Sequence, residues 1–370
     1  MNKKNVYIDL HILQTVPPSC VNRDDTGSPK TAVYGGTVRA RVSSQAWKHA
    51  MRKMFEDEIE DEIFEKEIGM RIRTSSLVEK IVDELDKLGV EDSKKKEKVL
   101  KKFDDIGVSV KAGKKDKGDT LIFVTNEQIK AMAKVIAENN NEKDAFKQAL
   151  REKPSIDMLL FGRMIATKKD KNKDTGVSLN YDAAAQVAHS ISTHTVHNEY
   201  DYFTAVDDCA PEDNAGAGHL DTVEYNSATL YRYATVNAAK LAIILGKEDA
   251  ANTIKGFTEA FIRSMPTGKQ NTFANRTLPD AIYVTVRNDQ PVNLCGAFEK
   301  PVYTSAGGYA EPSEKALVDY AKKVYKDYVN EPEAAFAVGD NMEELAETMP
   351  LKELLEKVKD KVSECLEGEM

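Results

Sequence analysis

The sequence predicts an α+β chain: a sheet domain that carries a large helical insertion and a projecting loop. Three observations predict it. Strand-like segments with alternating apolar side chains lie near the start of the chain (VYIDLHIL, TVRARVS) and recur late in it (TLYRYATVN, DAIYVTVR). Between them, residues 55–155 run mostly in helical patterns broken by charged loops. Residues 193–222, with DDCAPEDNAGAGHLD at their centre, have no sustained apolar period, and a loop of that length in a compact domain is either functional or disordered.

Each element follows from its own pattern. In VYIDLHIL, Val6, Ile8, Leu10 and Ile12 point one way and Tyr7, Asp9, His11 and Leu13 the other, the pattern of a half-buried strand. In TVRARVS, Val38, Ala40 and Val42 share one face and Thr37, Arg39, Arg41 and Ser43 the other, so two guanidinium groups stand on one side. Ser43 and Ser44 offer capping hydroxyls to a helix with the apolar stripe Trp47, Ala50, Met51 and Met54, while Gln45, Lys48 and Arg52 follow another face. LIFVTN predicts a short strand. The segment from Glu127 to Glu152 predicts one or two helices, with Lys143, Lys147 and Arg151 at i, i+4 and i+8. DMLLFGRM looks strand-like, KKDKNKDTG is a charged loop, and Asp182 to Ser192 is an alanine-rich helical pattern. Helices are expected at Ala238–Leu245 and Ala250–Ser264, and two more close the chain. The domain plan is therefore sheet domain over 1–54, helical insertion over 55–155, sheet domain again over 156–192, projecting loop over 193–222, and sheet domain with closing helices over 223–370.

Composition narrows the function. With 52 Lys and Arg against 61 Asp and Glu, the 370-residue chain has a formal net charge of −9 and is no general coat for nucleic acid. Yet SCVNRDDTGSPKTAVYGGTVRARVSSQAWKHAMRK gathers Arg23, Lys30, Arg39, Arg41, Lys48, Arg52 and Lys53 around Gly35 and Gly36. Adjacent glycines, paired arginines and a serine-capped helix start suit anionic oxygens, which points to phosphate; the plainer alternative is a solvated charged face. P-loop and dinucleotide spacings are absent, which disfavours nucleotide hydrolysis. The scattered Cys20, Cys209, Cys295 and Cys365 suit reduced thiols, and no stretch reaches membrane-spanning length, so a cytoplasmic protein without membrane contact is expected.

Other groups carry weaker chemistry. His189, His194 and His197 with Cys209 have no second closely spaced ligand pair, so neither metal nor cofactor is expected. Asp24 with Asp25, and Asp207 with Asp208, could hold the two ions of a nuclease or simply cap loop turns. Tyr202 and Phe203 either anchor the long loop or wedge between bases, and Met164 is either core or wedge.

The strings SCVNRDDTGSPKTAVYGG, RARVSSQAWKHAMRK, LLFGRM, DYFTAVDD, YRYATVN and GKQNTFAN occur in one order over residues 5 to about 365. Together they resemble the CasC family, the backbone subunit of the type I-E CRISPR Cascade complex. The resemblance implies a modified RRM/ferredoxin-like palm, a helical fingers insertion and a long thumb loop. It implies a non-catalytic protein that binds crRNA, stacks along it with further copies of itself and other Cascade subunits, and presents the guide to target DNA, where base pairing reads the sequence. By resemblance Arg39, Arg41, Ser43, Gln45 and Lys48 fall on the palm motif that grips guide phosphates, and the RNA-binding Asn22 and Arg23 fall on the adjoining loop. Met164 and Phe203 resemble base wedges, Arg163, Lys269, Gln270 and Asn271 lie near the guide, and Lys143, Lys147 and Arg151 resemble lysines of the fingers that face DNA. The first strand offers only Tyr7 for stacking, unlike an ordinary RNA-recognition domain. The rival readings are a metal-dependent ribonuclease using Asp24, Asp25, Asp207 or Asp208, and a free-standing single-strand binder.

Overall fold

A computed structural model describes residues 5–57, 59, 71–110, 121–140, 142–168, 178–205 and 219–368. The chain divides into two compact units, Met1–Ile59 with Ala185–Met370, and Glu60–Ala184. In chain order the strands are β1 (Tyr7–Ser19), β2 (Thr31–Tyr34), β3 (Thr37–Val42), β4 (Arg71–Thr74), β5 (Ile122–Thr125), β6 (Ala185–Val187), β7 (Ser190–Ser192), β8 (Glu199–Ala205), β9 (His219–Asn237), β10 (Ala281–Arg287), β11 (Ala334–Val338) and β12 (Glu347–Thr348).

The first unit is built on one sheet in the order β12-β11-β10-β1-β9-β7-β3-β2, with β6 and β8 also paired to β9. β1 is central, lying between its antiparallel neighbours β9 and β10, and residues 8–14 are buried on both of its faces. Ile8, Leu10 and Ile12 are fully buried on one side. On the other, Leu13 packs with Tyr231, Tyr283, Phe298, Leu317 and Val318. This corrects the half-buried expectation: Asp9 and His11 are enclosed as well, and the sheet is no stacking platform.

Two further differences have physical causes. Residues 185–192, expected as helix, are the strands β6 and β7, because pairing of Ala185 to Val236 and Ile191 to Tyr231 overrides alanine's local preference. The long loop is in part a hairpin, β8 running antiparallel to β9 from Glu199–Tyr225 to Ala205–His219, while residues 206–218 lie outside the described residues. Residues 199–204 are exposed on both faces, which removes the alternation a half-buried strand would show.

The helix α1 (Ser44–Asp57) is fixed to the sheet by a buried cation. The Arg232 guanidinium lies 3.8 Å from the Trp47 ring centroid and donates to Gln14 Oε1 at 2.5 Å and to the Phe261 carbonyl. Trp47 Nε1 donates to Ser190 Oγ at 2.9 Å. Burial pulls the Arg232 pKa down to about 9.

The second unit pairs β4 with β5 and packs helices Leu77–Lys87, Lys95–Asp105, Asn126–Ala137 and Lys143–Arg151 around Val78, Ile81, Phe103, Met132 and Phe146. Thr125 and Gln128 form a capping box at one helix start. The segment 157–164, expected as strand in the sheet domain, instead contains the helix Ile156–Phe161, stopped at Gly162 with φ +81°, and belongs to this unit.

Asp9 and His11 make the central strand sensitive to pH in opposite senses. Burial pushes the Asp9 carboxyl up to about 6, although it accepts from Val292 N at 2.8 Å and Tyr233 Oη at 3.0 Å. Burial pushes the His11 imidazole down to about 3. A raised carboxyl contributes stability that is present below its unfolded value and lost as pH rises through 6; a depressed imidazole contributes stability present above its unfolded value and lost as pH falls toward 3. Between those limits the two slopes cancel. Asp9→Asn removes one of them, so between pH 6 and 4 the variant should lose stability relative to the parent by about 1.4 kcal/mol per pH unit. Urea unfolding of both proteins at matched pH checks this.

Candidate nucleic-acid interface

The basic stretch folds around a tight hairpin. β2 and β3 pair from Thr31–Ala40 to Tyr34–Thr37, and the two residues between them, Gly35 and Gly36, have φ +57° and +76°, the mirror-image turn that matches strand twist. A Cβ on Gly35 would lie 1.7 Å from the Glu299 carbonyl oxygen, so its close approach is to protein backbone and not to phosphate.

Arg39 is likewise corrected. It is fully buried and donates from Nε to Thr37 Oγ1 at 2.8 Å, from Nη1 to Ser192 O at 2.9 Å and from Nη2 to Phe298 O at 3.0 Å. Its guanidinium clamps the hairpin to the sheet and has no open side.

Arg41, two residues on, is half-buried at the surface. Its Nη1 and the Ser44 N–H both donate to His189 Nδ1, at 3.4 and 3.3 Å, and its Nε donates to Thr31 O at 3.2 Å. His189 thus accepts with Nδ1 and is neutral; burial, then Arg41, Lys30 and Lys48, hold its pKa below the ordinary range. Burial, then Arg52, lowers the Lys48 pKa. Three cations therefore converge on one imidazole at the start of α1, where helix N–H groups also favour anions. Sequence reasoning grouped His189 only with a metal site; its companionship with Arg41 comes from pairing of β3 with β7.

The other predicted residues of this region are structural or lie beside the cluster. Asn22 Oδ1 accepts from Ser43 N at 2.9 Å and fastens the 20–30 loop to the helix start. Ser43 is buried, and its Oγ accepts from Ala46 N at 3.3 Å as the helix cap. Gln45 is exposed. Arg23 and Gln270 line one cleft with Asn22. Lys269, at φ +50°, precedes the short helical turn Gln270–Phe273, on which Asn271 is exposed.

The expectations that fall elsewhere divide. Arg163 is buried in the helical unit, donating to the carbonyls of Leu179, Phe123 and Leu150, and burial pulls its pKa down to about 10; its guanidinium is engaged in holding that unit together. Lys147, the middle residue of the expected stripe of Lys143, Lys147 and Arg151, is buried too. Met164 is 86% exposed in the helical unit, which removes the core alternative for it, and Phe203 is 41% exposed on β8.

Asp24 Oδ1 accepts from Thr26 N, Thr26 Oγ1 and Ser28 N, the pattern of a turn cap, and these bonds hold its carboxyl below the usual range. Asp207, Asp208 and Cys209 lie outside the described residues, as do residues 169–177 of the charged loop, whose Lys168 meets Asp104 Oδ1 at 3.1 Å. The His194 ring stacks on Tyr309 and its Nε2 accepts from Thr229 N. Among the described residues no cluster of His, Cys, Asp and Glu could hold a metal ion, and no helix is long and apolar enough to cross a membrane.

Sheet, hairpin arm and helical unit together define an architecture also found in RNA-guided machines. A chain of a "CRISPR RNA-guided surveillance complex, pre-nicking" is 30% identical, with a TM-score of 0.76 over 96% of this chain and 100% of that one. A chain of a second "CRISPR RNA-guided surveillance complex" is 27% identical, with a TM-score of 0.60 over 95% and 99%. This chain belongs to the CT1975-like protein family, whose model matches residues 8–363, and the CasC resemblance carried by its strings holds over the same length. No curated protein matches the sequence.

The two arginines of β3 should separate in experiment. Arg39→Ala strands buried carbonyls and should lose about 3 kcal/mol of stability, whereas Arg41→Ala should melt within about 0.5 kcal/mol of the parent. Chemical denaturation of both variants checks the contrast.

Proposed function

We propose that this chain is a non-catalytic crRNA-binding backbone subunit of a type I-E CRISPR surveillance complex, working in the cytoplasm. Its sheet unit acts as the palm, the helical unit as the fingers and the β8–β9 arm as the thumb. Several copies stack along the guide with other Cascade subunits and present it for pairing with target DNA, so that protein holds backbone and shape while the guide reads sequence. The observation that carries this reading is the convergence of Arg41, Lys30 and Lys48 on His189 at the start of α1. Such a site holds phosphate without reading bases, as a scaffold for any guide requires. The family and the likeness to chains of surveillance complexes support it.

The test is charge reversal at the surface cations. Arg41→Glu with Lys48→Glu should abolish co-purification of RNA and lower the slope of log affinity against log salt by about 0.7 for each phosphate no longer neutralised. Unchanged binding with an unchanged slope would overturn the reading. Incubation of the parent with magnesium or manganese should leave RNA and DNA intact; cleavage abolished by chelator would instead favour the metal-dependent ribonuclease.

A further inference from the structure

α1 carries a second feature beside the cationic cluster. Lys48 faces the His189 imidazole; positions 46, 49, 50 and 53 of the same helix wall a cleft of about 340 Å³. The opposite wall is the segment that follows helix Lys247–Arg263. That volume is at the small end of ligand pockets and has room for one nucleotide-sized molecule.

The lining is graded from apolar to charged. Ala50, Met54, Met265 and Pro266 make an apolar surface, and the two thioethers suit an aromatic ring. Arg23 and Lys53 bring positive charge to the rim, and among the described residues no acidic one lines the cleft. Ser264 lines it as well; it is 2% exposed, yet its hydroxyl has no hydrogen-bond partner among the described residues. A buried orphan hydroxyl in a native fold is an available donor and acceptor.

The wall is also held in an uncommon conformation. Lys269 and Ala274, both non-glycine, sit at φ +50° and +47° on either side of the turn that carries Gln270. A Cβ on Gly268 would lie 2.2 Å from the Val21 carbonyl oxygen, so this wall is pressed against the chain opposite. Strained backbone of this kind persists where the surroundings over-determine it, often at ligand clamps.

From these observations we infer that the cleft takes a single unstacked nucleotide, its base inward against Met54 and Met265 with an edge toward Ser264, and its phosphate at Arg23 and Lys53. The source is either a nucleotide of the bound RNA strand, in which case the inference rests on the function proposed above, or a free mononucleotide. An RNA source follows from placement: the phosphate track and the base cleft share one helix.

Methionine methyl NMR of the full chain tests it, with the Met54 and Met265 signals assigned by Met→Leu variants. AMP should move both by ring current, and ribose 5-phosphate should not. Ala50→Phe, which fills the cleft, should abolish the AMP shift. On single-stranded RNA it should weaken binding about tenfold, the scale of one base no longer held, at an unchanged salt slope. AMP shifts in a parent that binds no RNA would assign the cleft to free nucleotide and refute only the guide-binding reading. Absence of methyl shifts with both AMP and RNA, or shifts that survive Ala50→Phe, would overturn the inference. If Ala50→Phe loses its cooperative melt, Gln270→Ala on the wall replaces it, with a weaker AMP shift expected and an unchanged one counting against the cleft.

Discussion

The proposed nucleic-acid face depends on one buried guanidinium. Arg39 joins the β2–β3 hairpin to β7 through Ser192 and to the far segment at Phe298. With that clamp in place, Arg41 emerges beside His189 and the helix start stands in front of it. Hydrogen bonds from a charged donor to buried carbonyls are worth more than neutral ones, and each carbonyl left alone would carry its own desolvation cost. Placement of the surface cations is thus a by-product of satisfying an interior one.

A division of labour follows among side chains that look alike in sequence. Arg39, Arg163 and Arg232 are interior cations that hold backbone carbonyls, and Arg41, Lys30 and Lys48 are cations gathered about a neutral imidazole nearer the surface. The interior ones rigidify and the outer ones repel one another. Their shared positive potential, which after burial helps hold the His189 pKa down, makes an arriving anion welcome.

Much of this was legible in the sequence, and what was not has a common cause. Period-two alternation located β1, β3 and β10, and the paired serines located the start of α1, because those signals are local. Alternation correctly put Arg39 and Arg41 on one side of β3. It says nothing of what covers that side, and Arg39 is covered by a carbonyl 260 positions away. Lys147 and Arg163 were misjudged for the same reason: helical spacing and string resemblance identify a face, but burial is decided by distant chain. The short strands β6 and β7 had no local pattern to betray them, since their stability comes from β9. The cleft beside α1 is equally non-local, assembled from residues 21–23, 46–54 and 264–276.

β9 has a mechanical consequence. Its pairing with β1 reaches Asn226, and its pairing with β8 begins at the next residue, Tyr225, so one unbroken strand passes from the buried sheet into the exposed arm. Such an arm is a cantilever built into its wall, without a hinge on that side. Its direction is inherited from the twist of the core sheet, and a load on the β8–β9 ladder passes along β9 into the hydrogen-bond ladder around β1.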